Sequence, residues 1–282
     1  MASTRAKRIW LTVTLATAVA FAADNKKEFR YAAAPGSTIT VVNEFGPVTV
    51  RPSNGRQVVI TATTHSDKAE ADVNQTGTRI EARTHMLAKA SENDSRVDYD
   101  IQVPANVMLN IDADGGPIHV ERLRSDMTLQ GDAAEVTVQD CSNARVHVHT
   151  LTGPVTLSNI SNSYVDVTSP NGNVQLTSVS GPRVTVNTTK SNIRYTGDFA
   201  GGGQYLLNNH SGDIDVLLPT TASVDITARS VTGVVEQDFP LQQKQHLAYQ
   251  LTPGRSFAGT SNSGASSVQL RSFSGKIRVK KQ

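Results

Sequence analysis

Gly153-Pro154-Val155-Thr156-Leu157-Ser158-Asn159-Ile160 is followed, 19 residues on, by Gly172-Asn173-Val174-Gln175-Leu176-Thr177-Ser178-Val179. In both stretches two aliphatic residues flank one polar residue. An extended chain puts the aliphatic pair on one face and the Thr or Gln on the other. The same beat returns at Ile118/Val120, Met127/Leu129, Val136/Val138, Val146/Val148, Val165/Val167 and Val184/Val186. It continues at Ile193/Tyr195, Tyr205/Leu207, Ile214/Val216 and Val224/Ile226. Alternate beats form two series. Ile118, Val136, Val155, Val174, Ile193 and Ile214 are spaced by 18, 19, 19, 19 and 21 residues. Met127, Val146, Val165, Val184, Tyr205 and Val224 are spaced by 19, 19, 19, 21 and 19. Units this short bury their apolar faces only by stacking on one another. The pattern predicts an all-β, single-chain β-solenoid (β-helix-like) with two short strands per coil of about 19 residues.

The corners keep the same register. Leu123, Cys141, Ile160 and Val179 follow the first strand of each coil by three residues and form an inward ladder, with Phe199 one residue late in a longer coil. Gly153, Gly172 and Gly212 follow the second strand by five, with Ser191 as the exception. Glycine there suits a positive φ or a close approach between coils. Asn159, Asn162, Asn171 and Asn173 fall at corners, where asparagine's turn chemistry accounts for them.

Outside the array the chain remains β-like but irregular. Phe29–Tyr31, Thr38–Val42, Val48–Val50, Val58–Thr61, Arg79–Ala82 and Val97–Val103 read as strands, and residues 87–95 as a polar loop. After Val235 the pattern lapses, then recovers at Val268–Leu270 and Ile277–Val279. Solenoids need atypical ends to hide apolar rungs and open edges. Residues 23–104 and 236–282 are therefore expected as caps on regular coils over 105–235, all in one elongated domain.

Arg5, Lys7 and Arg8, an apolar run from Ile9 to Phe21 and the small-x-small triplet Ala20-Phe21-Ala22 have the form of a secretory leader over 1–22. Losing those three cations takes 27 basic residues to 24 against 25 acidic ones, so the mature chain is formally −1. A nucleic-acid partner is not supported by that balance. No later stretch is apolar enough to span a bilayer as a helix. The single cysteine excludes an intramolecular disulfide.

Three further stretches carry a family resemblance. Residues 99–111, Tyr99 to Ile111, give a strand, a Val103-Pro104 break and a restart. Gly116–Val120, Gly153–Leu157, Gly172–Leu176 and Gly212–Val216 repeat a Gly-x-Ile/Val-x-Val/Leu unit. Gly264 to Val279 resembles a closing pair of strands. Together, over roughly residues 36 to 280, they resemble the bacterial β-strand-repeat domain of unknown function labelled "putative adhesin". The resemblance implies a β-solenoid outside the cytoplasm. It transfers no catalytic residue.

Several groups are candidates for chemistry. His147 and His149 share the outward face of one strand, and Asp166 and Thr168 are stacked on them one coil later. Two imidazoles and a carboxylate are a possible zinc set, and an exposed polar strand face is the plainer reading. The outward row His119, Thr137, Thr156, Gln175, Arg194 and Asp215 could hydrogen-bond a glycan or peptide, or simply be solvated. Asp112/Asp114 and Asp213/Asp215 are carboxylate pairs too small by themselves to hold calcium. Cys141, in its ladder, reads as a core filler rather than a nucleophile. The composite expectation is an exported, non-catalytic binding or structural module with no cofactor, adhesin-like, whose partner is a surface glycan or an envelope protein. A polysaccharide-acting enzyme and an envelope-stress sensing component are the alternatives.

Overall fold

The computed structural model describes residues 25–34, 36–87, 91, 94–244 and 250–282. The leader over 1–22 lies outside the described residues, as does most of the polar loop over 87–95. Among the described residues no helix is long and apolar enough to cross a membrane.

The aliphatic beats form strands for the reason the pattern gave. Along Arg145–Thr150 burial alternates, with Val146 and Val148 inside and His147 and His149 outside. Among the described residues the strands assemble into one sheet of twelve and one of thirteen, which bury a shared aliphatic core. Successive strands of one coil belong to opposite sheets. Parallel neighbours need a long crossover, and here the strand of the other sheet supplies it.

Stacking follows the predicted columns. Ile118, Val136, Val155, Val174, Ile193 and Ile214 pair rung to rung. So do Met127, Val146, Val165, Val184 and Tyr205. The next member differs. Tyr205 pairs with Val268, and Val268 in turn with Ile226, so Val224 does not succeed Tyr205.

This reflects an exchange of order at both ends of the rod. Ser266–Ser272 lies between Gln204–Asn209 and Val224–Ser230, while Ile277–Lys281 lies between Ile214–Leu218 and Val235–Gln237. At the opposite end Thr38–Asn43 lies between Arg79–Met86 and Met108–Ala113, and Val48–Pro52 between Val97–Val103 and Ile118–Glu121. A late coil and an early coil are thus wedged inside the stack rather than added to its ends. Specific contacts hold the late one. Arg278 bonds both Asp215 and Asp213, and Ser266 Oγ donates to the Phe199 carbonyl.

Beyond the wedged coils the chain closes with antiparallel strands. Gln57–Thr64 lies on Val97–Val103, Asn25–Ala32 on Gln57–Thr64, Ala69–Thr76 on Arg79–Met86 and Ser256–Ser261 on Val224–Ser230. Outermost strands carry exposed charges such as Lys26, Lys27, Glu28, Glu70 and Asp72. Charge on an open edge discourages further pairing.

At the corners, close approach rather than positive φ explains the glycines. Gly172 does not have a left-handed φ, yet a Cβ there would lie 1.9 Å from the Gly153 carbonyl oxygen. Three residues before Gly153, Gly172 and Gly275 a buried polar side chain closes the turn. Ser169 Oγ donates to the Gly172 carbonyl at 2.9 Å, while Thr150 and Ser272 accept from the amides of Gly153 and Gly275 at 3.0 and 2.8 Å. Asn159 and Asn162 take left-handed φ of 53° and 49°, as their turn chemistry allows. Where the coil lengthens, Tyr195, Phe199 and Tyr205 fill the extra space. Tyr195 and Phe199 stack at 3.9 Å between centroids, and Tyr205 meets Phe199 edge-on at 4.7 Å.

Candidate binding face

Parallel pairing in register turns every outward position into a column along the rod. On the thirteen-stranded sheet, Arg145–Thr150, Tyr164–Ser169 and Arg183–Thr188 are neighbours. Their outward residues form three columns: Arg145–Tyr164–Arg183, His147–Asp166–Thr185 and His149–Thr168–Asn187. The first column surrounds an aromatic ring with two cations. Tyr164 is 50% exposed, and the Arg145 guanidinium carbon lies 5.7 Å from its ring centroid. Among the described residues neither Arg145 nor Arg183 is ion-paired, whereas Arg51, Arg122 and Arg278 each rest on a carboxylate.

These side chains line a shallow depression of about 570 Å³ that also takes in His147, Asp166 and Asn187. Further along the same face a second depression, of about 730 Å³, is flanked by Arg271 and Arg229 on adjacent strands.

The residues singled out from sequence are distributed as follows. His147 pairs with Asp166, with Nδ1 3.8 Å from Oδ2, but His149 pairs with Thr168. Among the described residues no three His, Cys, Asp or Glu side chains converge as a metal site. His119, Thr137, Thr156, Gln175, Arg194 and Asp215 do form one column on the other sheet. Its end is occupied, because Arg278 bonds Asp215 at 2.8 Å and Asp213 at 3.0 Å. At the opposite end of that column, beside His119, the Gln139 amide and then Arg122 hold the Glu121 carboxyl below its ordinary range. Burial, then the neighbouring Asp112 and Asp132, push the Asp114 carboxyl up. Cys141 is buried in the Leu123–Ile160–Val179 ladder and its thiol is pushed up by that burial. It donates to the Gln139 carbonyl at 3.3 Å.

Tyr164, Arg145 and Arg183 were not flagged by sequence. The available signal was a large aromatic at the outward position just before an apolar beat, where the coils on either side carry Arg145 and Arg183.

The architecture defines a protein class, the parallel β-solenoid rods with polar outward columns. Over residues 37–280 the chain matches the family described as Toastrack DUF4097, and it belongs to that family. Among solved structures, a "putative adhesin" from Bacteroides fragilis is similar at 12% identity and TM-score 0.48, covering 93% of this chain and 99% of that one. A "putative adhesin" from Parabacteroides merdae is similar at 8% identity and TM-score 0.42, covering 91% and 96%. A "putative cell adhesion protein" from Clostridium sporogenes is similar at 12% identity and TM-score 0.29, covering 92% and 100%. No curated protein matches the chain.

Proposed function

We propose that this chain is an exported, non-catalytic binding module of adhesin-like type. Its partner is a surface glycan or envelope protein that engages the face around Tyr164. The observation that carries this reading is the half-exposed Tyr164 ring held in register between two guanidiniums that, among the described residues, have no ion-pair partners. The solenoid does not need an aromatic at that position, since its core is complete without it. A flat aromatic offers contact area at low entropic cost, and it stands here on a stacked sheet rather than a mobile loop. Export is supported by the leader pattern over 1–22. The alternative of a polysaccharide-acting enzyme needs free paired carboxylates in a groove; Asp213/Asp215 are held by Arg278, and Asp112/Asp114 line neither of the two depressions.

The test compares fluorescently labelled chain lacking residues 1–22 with two variants on bacterial envelope preparations. Tyr164→Ala combined with Arg145→Gln should abolish saturable binding while leaving the melting temperature within a few degrees. Leu176→Ala, on a buried rung of the other sheet, should lower the melting temperature yet bind normally while folded. Undiminished binding by the face variant refutes the reading.

A further inference from the structure

We infer that the Tyr164 face takes an acidic saccharide, a chain carrying carboxylates on alternate sugars, laid along the rod axis. This rests on the binding reading above and names the ligand chemistry of the same face. Three features select this class. First, Arg145 and Arg183 flank Tyr164 on the two adjacent strands. They are two strand spacings apart, about 9.6 Å, close to the length of a disaccharide in an extended chain. Carboxylates on alternate sugars would then meet one guanidinium each, while the sugar between presents its C–H face to the ring. Second, the remaining lining groups are hydroxyl partners. Thr185 and Asn187 stand beside Arg183 on the same strand, and Thr128 stands one coil before His147. Asp166 is the acidic group among these lining residues, and His147 Nδ1 lies 3.8 Å from its Oδ2. Third, two more guanidiniums, Arg271 and Arg229, stand further along the same sheet in the adjacent line of Asn187 and Asn208, while the Tyr164 column itself runs on through Gln204 and Ser267 to Asp225. A neutral glycan would leave both guanidiniums without carboxylate partners.

The test is calorimetric titration of the chain lacking residues 1–22. The probes are hyaluronan octasaccharide, with acid on alternate sugars, a neutral cello-oligosaccharide of similar length, and single-stranded oligothymidylate. The expected result is saturable binding of the hyaluronan probe that weakens with added salt, as exposed ion pairs do. Binding of the neutral probe should be weaker by about tenfold or more. Tyr164→Ala should weaken hyaluronan binding by about tenfold or more, as loss of a stacking platform does. Arg145→Gln and Arg183→Gln should each weaken it about threefold to fivefold, the range for an exposed ion pair. Lys280→Gln, on the other sheet, should change nothing. Circular dichroism melts of each variant separate loss of binding from loss of fold.

Equal binding of the neutral probe, equal or tighter binding of oligothymidylate, or indifference to Tyr164→Ala overturns the inference. So does failure of hyaluronan to bind. If hyaluronan fails while envelope binding remains dependent on Tyr164, the saccharide assignment falls and the binding face stands. If envelope binding is also indifferent to Tyr164, both fall.

Discussion

At Gly172 a single methyl group would sit 1.9 Å from the carbonyl oxygen of Gly153, a backbone atom that cannot swing aside. Gly172→Ala should therefore cost about 3 kcal/mol, the upper end of overpacking penalties. Gly55, with open space around its Cβ position and no positive φ, is the control. Gly55→Ala should shift stability by no more than about 0.5 kcal/mol, and denaturant melts of the two variants check both values. The corner glycines were legible in the sequence, but whether they served φ or contact was not, because spacing does not carry a dihedral angle. Ser169 and Thr150 were less legible still. They look like exposed corner residues, yet each is buried and closes a turn through its hydroxyl. Tyr164 went unread for a related reason. Alternation says that its side chain points outward, and only stacking shows that Arg145 and Arg183 stand on either side.

At the scale of the strand, an aliphatic rung is worth what it buries. Leu176 is inaccessible to solvent and pairs with Leu157 and Tyr195 on adjacent coils. Leu176→Ala should cost about 2–5 kcal/mol. Strand faces and columns through the middle of the chain were predictable because a repeat of 19 residues returns each residue to the same place. Ala69–Thr76 and Ser256–Ser261 were missed. Ala69–Thr76 alternates cleanly but does so with alanines, which carry little strand preference, whereas small and polar residues blur the alternation in Ser256–Ser261; neither strand sits within the repeat. The aromatic-bearing strands also set an alkaline limit. Burial pushes the phenols of Tyr99 and Tyr205 up to about 12, and that of Tyr195 up as well. In the unfolded chain a tyrosine loses its proton near pH 10. The folded state thus binds these protons more tightly. The associated stability is fully present below about pH 10 and is lost as pH rises toward about 12. Urea midpoints that stay level to about pH 9.5 and then fall would bear this out; a flat profile through about pH 11.5 would not.

For the molecule as a whole, the neighbour relations matter more than the strands. Val268–Leu270 and Ile277–Val279 were recognised as strands, but their place inside the stack was not. A Val-x-Leu pattern specifies which face is buried and says nothing about which coil lies above it. The wedge is instead fixed by particular partners, Arg278 with Asp213 and Asp215 and Ser266 with the Phe199 carbonyl. Hydrogen exchange should therefore find residues 266–281 as protected as residues 155–179. Deleting residues 264–282 should expose Gln204–Leu218 and Val224–Gln237 together, since both coils lose their common neighbour, and the product should aggregate through the freed edges. Rapid exchange across 266–281 in the intact chain would contradict the wedge. The arrangement also governs how such a rod can lengthen. Between residues 127 and 196 each coil touches only the one before and the one after, so a duplicated unit there would slot in and pass the register on unchanged. At either extremity the coils are interleaved out of sequence, and a newcomer would have to prise apart neighbours that already clasp a third. Variation in rod length within such a lineage therefore belongs to the interior, with both tips inherited whole.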